Sequence, residues 1–130
     1  MANGIGKKTW LIPDCELPQP GEGVAKGHES VIVVNDSDND AVIDVKLYFT
    51  DKDFEHEIKW TVGKNRVRCF RMNRLEDMCG FEVPFETQYA MKLTSSEKIN
   101  VNDLIAEAAA SGVADKLKDA AGSFLGGLFK

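Results

Sequence analysis

Two stretches of strict alternation constrain this chain more than anything else in it. From Ala41 to Thr50, Ile43, Val45, Leu47 and Phe49 alternate with Asp44, Lys46 and Tyr48. From residue 54 to 62, Phe54, Ile58, Trp60 and Val62 fall on one face, and Glu55, Glu57, Lys59 and Thr61 on the other. A period of two places successive side chains on opposite faces of a strand, so both segments read as half-buried β-strands. Four further strands are expected at Lys7–Ile12 (stopped by Pro13), Glu29–Asn35, Asn65–Met72 after a turn at Gly63-Lys64, and Thr87–Thr94. Residues 15–27 carry two prolines and three glycines and read as a loop. Six short strands separated by turns indicate an antiparallel sandwich or barrel.

The last part of the chain changes period. Asn102 or Asp103 is placed to cap a helix, and Leu104, Ile105, Ala108 and Ala109 recur at helical spacing. After Gly112 an apolar stripe of Val113, Leu117, Ala121, Phe124, Leu125 and Leu128 faces Asp115, Lys116, Lys118, Asp119 and Ser123, an amphipathic pattern. The chain therefore divides into a β domain over 1–101 and an amphipathic helical tail over 102–130. Val113, Leu117, Phe124, Leu125 and Leu128 are the expected partner-binding residues, since a short isolated helix needs a surface for its stripe. The tail docks in a partner's groove, packs on its own domain or self-associates. Its net charge of about −1 makes contact with an anionic membrane less favoured.

With 130 residues, 43% of them hydrophobic, the chain has one ordinary core. A net charge of −5 argues against nucleic-acid binding. No apolar run is long enough to span a bilayer as a helix, and the N-terminus carries no secretory signal. Cys15, Cys69 and Cys79 are odd in number and irregularly spaced, which fits reduced thiols in the cytoplasm and no metal or cofactor.

Three clusters bear on chemistry. Asp36-Ser37-Asp38-Asn39-Asp40 resembles the start of a calcium loop, but Ala41 and Leu47 stand where that loop needs glycine and glutamate, so a solvated turn is expected. Arg66, Arg68, Arg71 and Arg74 offer bidentate donors, either for local ion pairs with residues such as Glu55 and Glu57 or for an anionic or polar ligand. His28-Glu29-Ser30 cannot form a catalytic triad on one strand, because neighbours point to opposite faces. With no nucleophile elbow, phosphate loop or zinc helix, an enzyme is not expected.

The order of segments resembles the sensory rhodopsin transducer family. Residues 6–14 (GKKTWLIPD) are similar to its W-x-I-P opening, and residues 28–35 (HESVIVVN) to its S-H-E-S-I-C-V-L-N strand. Residues 44–52 (DVKLYFTDK) are similar to its Y-F-x-D-R strand, and Val62–Asn73 to its V-P-A-R-R-T-K-H-I-R-L-N segment. Pro84 and Tyr89-Ala90 resemble its I-P…Y-A segment, so the likeness covers about residues 4–100. Cys69 and Gly63 depart from the family's histidine and proline, and its terminal V-V-Q-H-T-R-L-D strand has no counterpart in sequence. The resemblance implies a small β-sandwich that assembles as a homotetramer and binds a sugar or related polar metabolite, one branch relaying signals from a membrane photoreceptor. It assigns Trp10, His28, Glu29, Ser30, Tyr48, Asp51, Arg66 and Arg71 to the ligand or subunit contacts. The expected fold is thus mainly β, an antiparallel β-sandwich with a C-terminal amphipathic helix. The expected role is non-enzymatic binding or signal transduction, with an adaptor working through the tail as the alternative.

Overall fold

In the computed structural model, which describes residues 4–23 and 25–107, six antiparallel strands form one curled sheet. They are β1 (Lys7–Glu16), β2 (His28–Asn35), β3 (Ala41–Phe49), β4 (Ile58–Val62), β5 (Arg66–Arg71) and β6 (Gln88–Ala106). The sheet order is β4-β3-β6-β2-β5, with β1 also paired to β6. The alternation that marks β3 and β4 sends Ala41, Ile43, Val45, Leu47, Ile58, Trp60 and Val62 into the core. Their register, Ile43 opposite Trp60 and Val45 opposite Ile58, keeps both apolar sets on one face.

β6 organises the molecule. Its first half lies between β1 and β3, with Leu93 opposite both Trp10 and Val45, and its second half pairs with β2 from Asn100 to Ala106. This overturns one sequence expectation. Residues 102–106 are strand, not the first turn of a helix, and the boundary expected at 101/102 falls inside β6. Ile99, Val101, Asp103 and Ile105 alternate with Asn100, Asn102 and Leu104, so the ladder to β2 satisfies backbone groups that a capped helix would have satisfied internally. The chain thereby builds a long last strand from residues unlike the family's terminal signature. The rest of the expected tail, including Val113, Leu117, Phe124, Leu125 and Leu128, lies outside the described residues.

The expectation of a mainly β, antiparallel fold holds, realised as a single sheet bent on itself. Two seams hold the bend. On one side Trp60 of β4 stacks on Phe70 of β5, with ring centroids 4.1 Å apart and planes 4° from parallel, and the indole Nε1–H donates to the Asp77 carbonyl at 2.6 Å. These strands stand at opposite ends of the sheet order, so their contact measures the curl. The second seam is polar and forms the candidate site. The acidic β2–β3 turn is fastened from inside. Buried Asn35 donates to the carbonyls of Asn39 (2.7 Å), Val62 (3.1 Å) and Gly63 (3.2 Å), and accepts from the Ser37 hydroxyl at 2.7 Å.

Candidate functional site

The second seam begins with two acids at positions where the strand pattern demands apolar residues. Glu29 precedes Val31 and Val33 on the inner face of β2 and is completely buried. Asp103 lies between Val101 and Ile105 on the inner face of β6. The β2–β6 register sets Glu29 opposite Ile105 and Asp103 opposite Val31, which makes the two acids diagonal neighbours on one face. Cys15 of β1 and Tyr89 of β6 are cross-strand partners on the adjoining ladder, both buried.

Tyr89 donates its hydroxyl to Glu29 Oε1 in a very short hydrogen bond, and the Glu16 N–H donates to Oε2 at 3.3 Å. The Cys15 sulfur and the carboxylates of Glu29 and Asp103 lie within 4.8 Å of one another. Tyr89 and Asp103 belong to one strand, fourteen positions apart. An extended strand would separate them by about 46 Å. Both reach Glu29 because β6 curls, and Glu29 is the clasp where its two ends meet.

Burial dictates the protonation of this cluster. Loss of solvent, helped by the facing Asp103, pushes the Glu29 carboxyl up to about 9, against the opposing pull of the Tyr89 hydroxyl and Glu16 N–H. Burial also raises Asp103, while Glu29 and Cys15 favour its ionised form. The buried Glu29–Asp103 pair therefore retains a proton at neutral pH, held between the two carboxyls. Burial raises the Cys15 thiol and Tyr89 phenol as well, so both stay protonated. Cys15, Glu29 and Asp103 have the mutual spacing to hold a cation, but a metal would have to displace the protons that burial favours.

Above this cluster a groove of about 470 Å³ opens between β1 and the second half of β6. Trp10, Ile12, Val101, Asp103 and Ile105 line it, with Asp14 and Asn102 among its polar groups. The Trp10 indole is fixed by donation to the Ile99 carbonyl at 2.9 Å and the Lys7 carbonyl at 3.1 Å. Gly6 makes this approach of β1 possible, because a Cβ there would sit 2.0 Å from the Ile99 oxygen, at a φ of +109°. Asp103 Oδ1 is buried, and its carboxyl faces Glu29 and Cys15. The arrangement suits a ligand that brings an apolar body to Trp10 and a polar group to the acids.

Of the eight residues singled out in the sequence, the structure places Trp10 in the lining of this groove and Glu29 buried behind it, beside Asp103. His28, Ser30 and Arg71 lie elsewhere on β2 and β5, with Ser30 opposite Arg71 in the ladder and His28 Nδ1 at 3.1 Å from the Lys26 carbonyl. Arg71 has a buried Nε without a partner, and its backbone N–H donates to Asp77 Oδ2 at 2.9 Å. Tyr48 is on the outer face of β3 under the Lys46 ammonium, Asp51 is exposed beyond β3, and Arg66 is exposed at the start of β5. Arg66 and Arg68 donate to the carbonyls of Asn65 (3.0 Å) and Thr61 (2.9 Å), whereas Arg74 meets Asp77 at 3.7 Å. Cys15, Tyr89, Asp14, Asn102 and Asp103 were not anticipated. A signal for Asp103 existed, an acid inside the Ile99–Val101–Asp103–Ile105 alternation. A larger groove of about 490 Å³ lies over β3 and β4, but its Asp44 and Lys59 pair with each other at 3.5 Å and remain exposed. The buried, proton-retaining groups lie instead behind Asp103 of the β1–β6 groove.

A single curled antiparallel sheet with a partly polar groove defines a small, mainly β domain. The chain belongs to the Anabaena sensory rhodopsin transducer family, whose model matches residues 5–111. It is similar to the solved structure of the Anabaena sensory rhodopsin transducer, with a TM-score of 0.68 and 29% identity over 79% of this chain and 98% of that one. It also shares its fold with Thermotoga maritima 1070, at a TM-score of 0.63 and 18% identity over 78% of this chain and 91% of that one. No curated protein sequence matches it. Among the described residues no helix is long and apolar enough to cross a membrane.

Proposed function

We propose that this family member is a non-enzymatic binding module that takes a small polar ligand in the β1–β6 groove and transmits occupancy through the curl of β6. The observation that carries this reading is the convergence of Trp10 and Asp103 on one groove above the buried Glu29 clasp. A ligand there touches β1 and the second half of β6 beside the Glu29 clasp, so binding and the shape of the curl are linked. The non-enzymatic part rests on protonation, since burial holds the Cys15 thiol and Tyr89 phenol in their unreactive forms. A thermal-denaturation screen of sugars, amines and carboxylates tests the proposal. A true ligand at a hundredfold its Kd adds about 2.7 kcal/mol to stability. That gain should vanish in Trp10→Leu, and a screen in which nothing stabilises the chain contradicts the reading.

A second observation favours self-association, in line with the homotetramer implied by the sequence resemblance. On the outer face, Leu11, Pro13, Tyr48 and Ala90 line an apolar groove of about 430 Å³, and Leu11 is 64% exposed. Leu11→Glu should lower the mass found by sedimentation equilibrium, and an unchanged mass would remove this face from any assembly.

A further inference from the structure

Resting on the binding role proposed for the β1–β6 groove, we infer that its ligand is a small organic cation, an ammonium on an apolar stem, rather than a neutral sugar or an anion. The lining separates the two requirements of such a molecule. Leu11, Ile12, Pro13, Val101 and Ile105 supply apolar wall for a hydrocarbon stem. Asp14 and Asp103 supply the charged groups, and Trp10 supplies an aromatic surface of the kind that attracts ammonium ions.

Charge decides between ligand classes. Among the described residues no lysine or arginine lines this groove, whereas it holds two aspartates and stands over Glu29. An anion would enter facing two aspartates with no counter-charge in the lining. The arginines that suggested an anion site in the sequence are placed on β5 and the loop after it, with Arg66 and Arg68 engaged by backbone carbonyls. A neutral polyol would bring no counter-charge to the two aspartates of the lining. An ammonium supplies both a counter-charge and N–H donors to the two aspartates of the lining. The net charge of −5 adds long-range attraction for a cation.

The titratable groups lining the groove are Asp14 from β1 and Asp103 from β6, and behind Asp103 lie the buried Cys15 of β1, Glu29 of β2 and Tyr89 of β6. Because burial favours the protonated acids, cation binding draws protons off the Glu29–Asp103 pair. Affinity therefore rises as the pH climbs towards 9.

An isosteric series tests this by calorimetry on the full chain: 1,5-diaminopentane, 1,5-pentanediol and glutarate share a five-carbon stem and differ in charge. The diamine should bind at least about tenfold more tightly than the diol, with glutarate showing no heat of binding. Asp103→Asn should weaken the diamine by about tenfold or more. Exposed Asp14→Asn, which leaves the core untouched, should weaken it severalfold. If the diol, glutarate or a sugar binds as tightly as the diamine in a Trp10-dependent way, the groove remains a ligand site and the cation assignment is overturned. If none of them binds, the assignment falls together with the proposed binding role.

Discussion

The protein should lose stability as the pH rises from about 4.5 towards 9, the reverse of what paired surface carboxylates produce. Glu29 titrates near 4.5 in a solvated chain and near 9 in the fold. Between those values the folded state holds a proton that the unfolded state has released. The stability contributed by this group is complete below 4.5 and is lost as the pH climbs through 9. A single proton limits the slope to about 1.4 kcal/mol per pH unit. Asp103, also raised by burial, acts in the same direction. Urea denaturation followed by circular dichroism across this range measures the effect. Glu29→Gln should flatten the profile, because the amide does not titrate. It should also cost about 1 kcal/mol at low pH, since its NH₂ cannot accept the Glu16 N–H. Stability that is level or rising over the window would show that Glu29 is ionised in the fold.

The largest effect of a single substitution is expected at the apolar seam. Trp60 is almost fully buried, stacks on Phe70 and donates to the Asp77 carbonyl. Trp60→Ala removes a large side chain from the contact between the two ends of the sheet order and should cost about 3–5 kcal/mol. Trp60→Phe keeps an aromatic ring but leaves the Asp77 carbonyl without its donor, and should cost less, about 1–2 kcal/mol. Equilibrium unfolding of both variants provides the comparison. A loss below about 1 kcal/mol for the alanine variant would mean that the seam follows from the curl and does not hold it.

Most of the sheet was legible because strand residues on a half-buried surface repeat with a period of two. β3 and β4 show this most clearly, since Ile43, Val45, Ile58 and Trp60 lie between polar neighbours. The second half of β6 was misread for a definable reason. Leu104, Ile105, Ala108 and Ala109 satisfy helical spacing, and the competing alternation carries an aspartate at an inner position. A buried acid looks like an exposed one until a partner acid and a phenol are known to sit beside it. The candidate site was legible only in part. Trp10 and Glu29 stood out through their motifs, but Cys15, Tyr89 and Asp103 join them solely because β6 bends. No local pattern encodes the meeting of residues 89 and 103 on one carboxyl. The arginines drew attention by their density, yet the fold spends Arg66 and Arg68 on carbonyl contacts.

The claim that the β1–β6 groove is the functional mouth is tested most directly by the two indole N–H resonances of ¹⁵N-labelled protein. Trp10 lines the groove, whereas Trp60 is locked in the opposite seam. Addition of 1,5-diaminopentane should shift the Trp10 indole in a saturable manner and leave that of Trp60 in place. A Trp10 resonance that no amine, sugar or carboxylate displaces would contradict the assignment of this groove.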